Sequence, residues 1–398
     1  MTDATVPEEA TFQFDSLLRP EFTKCPWPYY KQMRDTNPVL RLGSEAAKII
    51  FIARHEDIDY VLHNPHLFSS RQPGALEQGF PQIPIGLDPP EHSKWRRLLD
   101  PWFSPREMAK LKEDVTHQVN VMIDGFIERG ECDYAIEYAV PLPCSVFMRL
   151  MGFPLEQLQL FVDLKDRMLR GAGENFGVPD DIQRAAREEI TAMLEHVLVQ
   201  RRREPRDDLI TKLIHSEIDG QPLTHAELLG ACHLLFFAGL DTVTDSLTCF
   251  YAFLARNPQH RRRLVSDPGI IPDAIEEMLR YESPVTMVIP RMVTEETELG
   301  GFPVHPGERI IPLLGSANND ERVINHPEVV DFDRTATRHY AFGGGVHRCL
   351  GSHLARLEME VALQAWHERI PDYAIAPGEV LTYNGNPRAP HRLPLVWS

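Results

Sequence analysis

Paired cysteines, long apolar runs, a basic excess and low-complexity tracts are all missing from this chain of 398 residues. Its six cysteines (Cys25, Cys132, Cys144, Cys232, Cys249 and Cys349) show no CxxC pair and no metal-ligand spacing, which excludes zinc ribbons and iron–sulfur clusters held by the chain. They read as free thiols of a reducing cytoplasm, five of them small core residues. The longest apolar runs, near 49–53 and 234–240, are too short to span a bilayer, and residues 1–10 carry Asp3, Glu8 and Glu9 where a secretory signal needs an apolar segment. With 41 basic against 58 acidic residues, the formal charge of −17 argues against a nonspecific grip on nucleic acid or anionic lipid. Any basic patch must be local. Without a repeat period or a Gly/Ser hinge, the chain is expected to be one domain over 1–398, and a cytoplasmic monomer.

What is present is the composition of a globular protein, with 43% hydrophobic and 25% charged residues. Apolar residues at helical spacing predict helices over 93–127 with breaks, 155–170, 182–203, 224–256, 272–281 and 352–370. A strand is expected at 48–53 and a hairpin over 298–313, turning at Gly300-Gly301. This is a mainly α (α+β) chain. The segment 224–256 opens on the capping box Thr224-His225-Ala226-Glu227 and is apolar on every face around 234–240, so it is expected to run through the core as one helix. Asp241 and Thr242 follow at its centre, where a carboxylate needs a partner to offset its desolvation. A capped kink is the structural alternative there.

The stretch Phe342-Gly343-Gly344-Gly345-Val346-His347-Arg348-Cys349-Leu350-Gly351 joins a glycine-rich turn to a helix start. There the free N–H groups and the helix dipole favour a thiolate on Cys349, and His347 and Arg348 add positive charge beside it. Arginine at 348 excludes a GxGxxG dinucleotide fingerprint.

This stretch resembles the FGxGxHxCxG haem-binding loop of the cytochrome P450 family at every specified position. Glu277-Met278-Leu279-Arg280 is similar to the family's ExxR, and Ala238-Gly239-Leu240-Asp241-Thr242 to its oxygen-activating stretch, in the family's chain order. The likeness covers nearly the whole chain and is nearest the bacterial camphor hydroxylase branch. It implies the cytochrome P450 fold, a helical prism with a small β-rich region and haem b between a long central helix and the cysteine loop.

Carried over by resemblance, Cys349 is the axial thiolate to iron and Phe342, Gly343 and Gly351 belong to its loop. His92, Arg96, Arg291 and His347 are the propionate binders, and Glu277, Arg280 and Arg334 form a structural ion triad. Thr242 is the hydroxyl that serves dioxygen and Asp241 its proton donor, paired with Arg170. The pocket positions are Phe80, Leu234, Phe237, Ala238, Met287 and Ile289. All are apolar, which suits a hydrophobic substrate such as a terpenoid or steroid. Phe80 stands where the camphor enzyme has a tyrosine, which argues against camphor; Asn386 and Pro387 leave room for a polar group on part of the substrate. With no flavin or nicotinamide motif, electrons are expected from a separate [2Fe–2S] ferredoxin and its reductase, docking on Lys94, Arg96, Arg97, Arg348 and Arg356. The implied activity is hydroxylation by a haem-thiolate monooxygenase. Two alternatives remain at this point, a peroxide-driven haem-thiolate enzyme and a non-catalytic haem-based ligand sensor; an intact Asp241-Thr242 pair speaks against the first.

Overall fold

Helices form where the apolar spacing places them. A computed structural model describes residues 17, 20–43, 49–71, 82–169, 181–335 and 338–398. The helices that build the site are α1 (Glu91–Leu99), α2 (Lys112–Asp124), α3 (Pro141–Met151), α4 (Leu158–Leu169), α5 (Asp181–Arg203), α6 (His225–Gly239), α7 (Thr242–Arg256), α8 (Ile271–Glu282) and α9 (Ser352–Arg369). The Thr224 capping box forms as read, its side chain accepting from the Glu227 N–H while Glu227 takes the Thr224 N–H at 2.7 Å.

The expected single helix over 224–256 is two helices. Its ladder breaks at Leu240 and Asp241 (φ −103° and −121°), between α6 and α7. Packing from outside the segment accompanies the break. The Phe147 ring of α3 crosses Gly239 so closely that a Cβ there would lie 2.8 Å from it. Just beyond, the Thr244 hydroxyl donates to the Ala139 carbonyl at 2.9 Å. The stretch His225–Arg256 has the length and apolarity of a membrane span, yet half of its most apolar window is buried inside the protein, as a core helix requires.

The β-rich region lies at one side. Strand Ile49–Ile52, in the segment expected, pairs antiparallel with Val39–Leu42 and parallel with Arg309–Pro312, and the sheet continues through Arg291–Val293 to Phe68–Ser69. The hairpin turns at Gly300-Gly301, both at positive φ as a two-residue turn requires, but it ends at Val304. Residues 309–312 leave it for the larger sheet, because Ile310 and Ile311 are buried there.

Two helical cores flank the break. One gathers Tyr134, Tyr138, Tyr251 and Trp366 in edge-on and stacked contacts between α7 and α9. The other gathers Phe147, Phe161 and Phe236 between α3, α4 and α6.

Candidate active site

The cysteine loop enters α9 through a turn that only glycine can make. Gly345 has φ +62°, and a Cβ on it would sit 1.9 Å from the Leu62 carbonyl oxygen. The Cys349 N–H donates to the Phe342 carbonyl at 2.8 Å, which closes the loop. Among the six cysteines Cys349 is the exposed one. Beside it, the space a Gly351 Cβ would take meets no atom within 4 Å. Burial nevertheless pushes the Cys349 thiol up, against the Gly351 N–H and the charges of Arg96, Arg348 and Arg356.

Phe342 meets Cys349 through its backbone, and its ring lies under the Arg356 guanidinium at 4.3 Å. Glu276 holds that arginine by two bonds of 2.6 and 2.8 Å and also meets His339 at 3.1 Å. Burial acts to raise Glu276, but these partners outweigh it and hold its carboxyl at about 2.

Four of the basic residues singled out in the sequence converge. His92 and Arg291 are buried, and the His92 and His347 rings stand 4.1 Å apart. Arg291 donates to the Ile289 carbonyl at 2.8 Å, and Arg96 joins α1 to the loop through the Arg348 carbonyl at 2.7 Å. Neither His92 nitrogen has a hydrogen-bond partner among the described residues. Burial, reinforced by neighbouring positive charge, pushes His92 down to about 4 and His347 to about 2, and burial brings Arg291 to about 10. Ser70, which nothing in the sequence singled out, meets His347 Nε2 at 2.8 Å.

At the helix break Asp241 does not cap α7. Its carboxylate accepts from Lys165 of α4 at 2.8 Å, and Lys165 also meets Asp166 at 2.8 Å. The expected partner, Arg170, lies outside the described residues. Lys165 carries no motif; only its place in an otherwise apolar helix face marked it.

The pocket positions separate. Phe237 (48% exposed) and Ala238 open to solvent-accessible space, Leu234 is half-buried, and Phe236 turns the other way into the core. Ile289 is half-buried, whereas Met287 packs against the cluster of Phe22, Tyr29 and Tyr30. Phe80 lies outside the described residues. The Asn386 oxygen accepts from the Thr286 N–H, the Thr286 hydroxyl and the Met287 N–H, so it is taken up by the fold rather than offered to a substrate.

The family model described as Cytochrome P450 matches residues 150–267 and 270–366. The chain belongs to the cytochrome P450 family. It is 30% identical to the vitamin D3 dihydroxylase of Streptomyces griseolus, over the full length of both proteins. With the steroid C26-monooxygenase of Mycobacterium tuberculosis it shares 32% identity, over 86% of this chain and 85% of that one. A myxobacterial cytochrome P450 in complex with myristic acid has a similar structure, with a TM-score of 0.89 and 29% identity over 97% of this chain and all of that one.

As a cytochrome P450 monooxygenase the protein is an oxidoreductase with a haem-thiolate cofactor. The residues present fit such a group. The open space at Gly351 beside Cys349 leaves room for a flat ring, and the His92 nitrogens, without a partner among the described residues, lie near the Arg96 and Arg291 charges that suit carboxylates.

Proposed function

We propose that this cytochrome P450 carries haem b and hydroxylates a small hydrophobic molecule of the terpenoid or steroid class, with electrons from a [2Fe–2S] ferredoxin. The observation that carries the reading is the convergence of two arginines, Arg291 and Arg96, with the neutral imidazoles of His92 and His347 beside the Cys349 loop. Cys349 would ligate the iron, and the four basic residues would take the two propionates, with Ser70 orienting His347. When bound, the haem supplies dioxygen activation and insertion of one oxygen atom into a C–H bond, which consumes two electrons and two protons.

The chain's own part is proton delivery and substrate binding. Lys165 holds the Asp241 carboxyl in place at the helix break, and Asp241 passes a proton from solvent to the Thr242 hydroxyl at the first position of α7. Phe237, Ala238, Leu234 and Ile289 present an apolar wall that holds substrate by burial of nonpolar surface. The named activities of the vitamin D3 and steroid relatives support this class, as does the likeness to a Bacillus megaterium cytochrome P450 bound to testosterone.

For the ferredoxin, a cavity of about 660 Å³ opens behind the cysteine loop, lined by His63, Arg338, Arg348 and Arg356, with Glu276 as its one acid. It supports a basic docking face on an acidic protein. Lys94 and Arg96 pair with Asp219 and Asp100, as Arg356 does with Glu276, so each of these cations carries a local counter-charge. The protein would work as a cytoplasmic monomer with the whole chain in one domain.

The test is a Soret titration of the ferric protein with steroids, terpenoids and ionones, with fatty acids as a further class. A low- to high-spin shift with steroids or terpenoids is the expected result. A shift with fatty acids alone, or with nothing in the panel, overturns the substrate class.

A further inference from the structure

Asp245 has no part in the function just proposed, yet it is placed to act on it. The residue is 5% exposed in the first turn of α7, and its Oδ2 is enclosed without a hydrogen-bond partner among the described residues. Its backbone N–H donates to the Asp241 carbonyl at 2.9 Å, so the two carboxyl groups stand one helical turn apart.

An ionised carboxylate cannot remain in such a place without a counter-charge. Two groups outside Asp245 act on it: Asp241, of like charge, and Lys165 from α4, already bonded to Asp241 and Asp166. Cys249, one turn further along α7, is a buried thiol that burial keeps protonated. Burial, then Asp241, raises the Asp245 carboxyl well above the usual carboxylate range against the pull of Lys165. One cation shared among three carboxyl groups leaves Asp245 as the one that keeps its proton.

Two protons are consumed for each oxygen atom inserted, and one carboxylate carries one proton at a time. We propose that Asp245 is the second proton store of this site, acting through Asp241. After Asp241 has released its proton toward Thr242, the Asp245 O–H bond breaks and an O–H bond forms on the Asp241 carboxylate. Lys165, relieved of the charge on Asp241, then faces the anion on Asp245. A solvent proton entering by Asp241, whose side chain is 18% exposed, restores the resting state. The inference rests on Asp241 as the donor to Thr242.

The experiment compares the haem-loaded protein with Asp245→Asn, which keeps the shape and has no proton to give, with Asp245→Glu and with Asp241→Asn. In the resting ferric protein, infrared spectroscopy should show a neutral carboxylic C=O band that shifts in D2O and disappears in Asp245→Asn. Glu358, another buried acid, contributes a band common to both proteins. Turnover of Asp245→Asn should fall roughly tenfold with an increased solvent isotope effect, and Asp245→Glu should recover part of the rate. An unchanged band, or a wild-type rate and isotope effect in Asp245→Asn, overturns the proton store. If Asp241→Asn is then still slow, the role of Asp241 stands alone; if Asp241→Asn turns over at the wild-type rate, both fall.

Discussion

At Gly345 a hydrogen atom occupies the place where any side chain would strike the Leu62 carbonyl, in a backbone conformation that L residues avoid. Gly345→Ala is expected to cost more than the roughly 1–3 kcal/mol of a strained φ alone, read as a fall in Tm and in haem content. Glu358 acts in the opposite sense. Burial raises its carboxyl from the usual 4.5 to about 8. The folded protein therefore holds a proton that the unfolded chain releases, and stability falls as pH rises from about 4.5 to 8. Glu358→Gln should be more stable than wild type at pH 7 by up to about 3 kcal/mol and equal to it near pH 4, measured by denaturant melts at both pH values. Equal stabilities at pH 7 would refute a Glu358 carboxyl raised by burial. Cys349 and Asp241 stood out as candidates because each lies in a local motif, whereas the four basic residues came from the family resemblance and the structure brings them together. Lys165, Ser70 and Asp245 were not, since their significance comes from contacts with groups remote in sequence or from burial.

Among the elements, α8 shows why an i, i+3 pair cannot be judged from spacing. Glu277 and Arg280 would be an ordinary surface pair on an exposed helix. Here both are buried, with bonds of 2.8 and 2.9 Å between them, and Glu277 also accepts from Arg334 at 3.1 Å and from the Asp331 N–H at 3.0 Å. Arg280 in turn holds the carbonyls of Asn318 and Pro327 at 3.0 Å each, which fastens the segment leading to the cysteine loop. Glu277→Ala leaves two arginines uncompensated, at a cost of about 3–5 kcal/mol, and should purify without haem. A normal Soret band in that variant would remove the triad from the account. Helix positions followed from apolar periodicity, which is local. The break at Leu240-Asp241 did not, because Phe147 and Ala139 come from elements some hundred residues earlier.

Over the whole molecule, a net charge of −17 and a local basic cavity have opposite consequences for an acidic redox partner. Long-range repulsion is screened within a Debye length of about 8 Å at physiological salt, while contact pairs persist. Replacing Arg338 and Arg348 together by alanine should slow electron transfer from a ferredoxin several-fold at low ionic strength and flatten its salt dependence, in stopped-flow reduction under carbon monoxide. Identical salt profiles would place docking elsewhere. By itself the sequence determined the family, the cysteine loop and most helices, since each is written in residues close along the chain. Only the tertiary structure decided that the central helix is broken, that Asp241 is held by Lys165 and that Asp245 keeps its proton. Those outcomes depend on what packs across from each residue, and burial and charge are properties of the folded surroundings rather than of the residue itself.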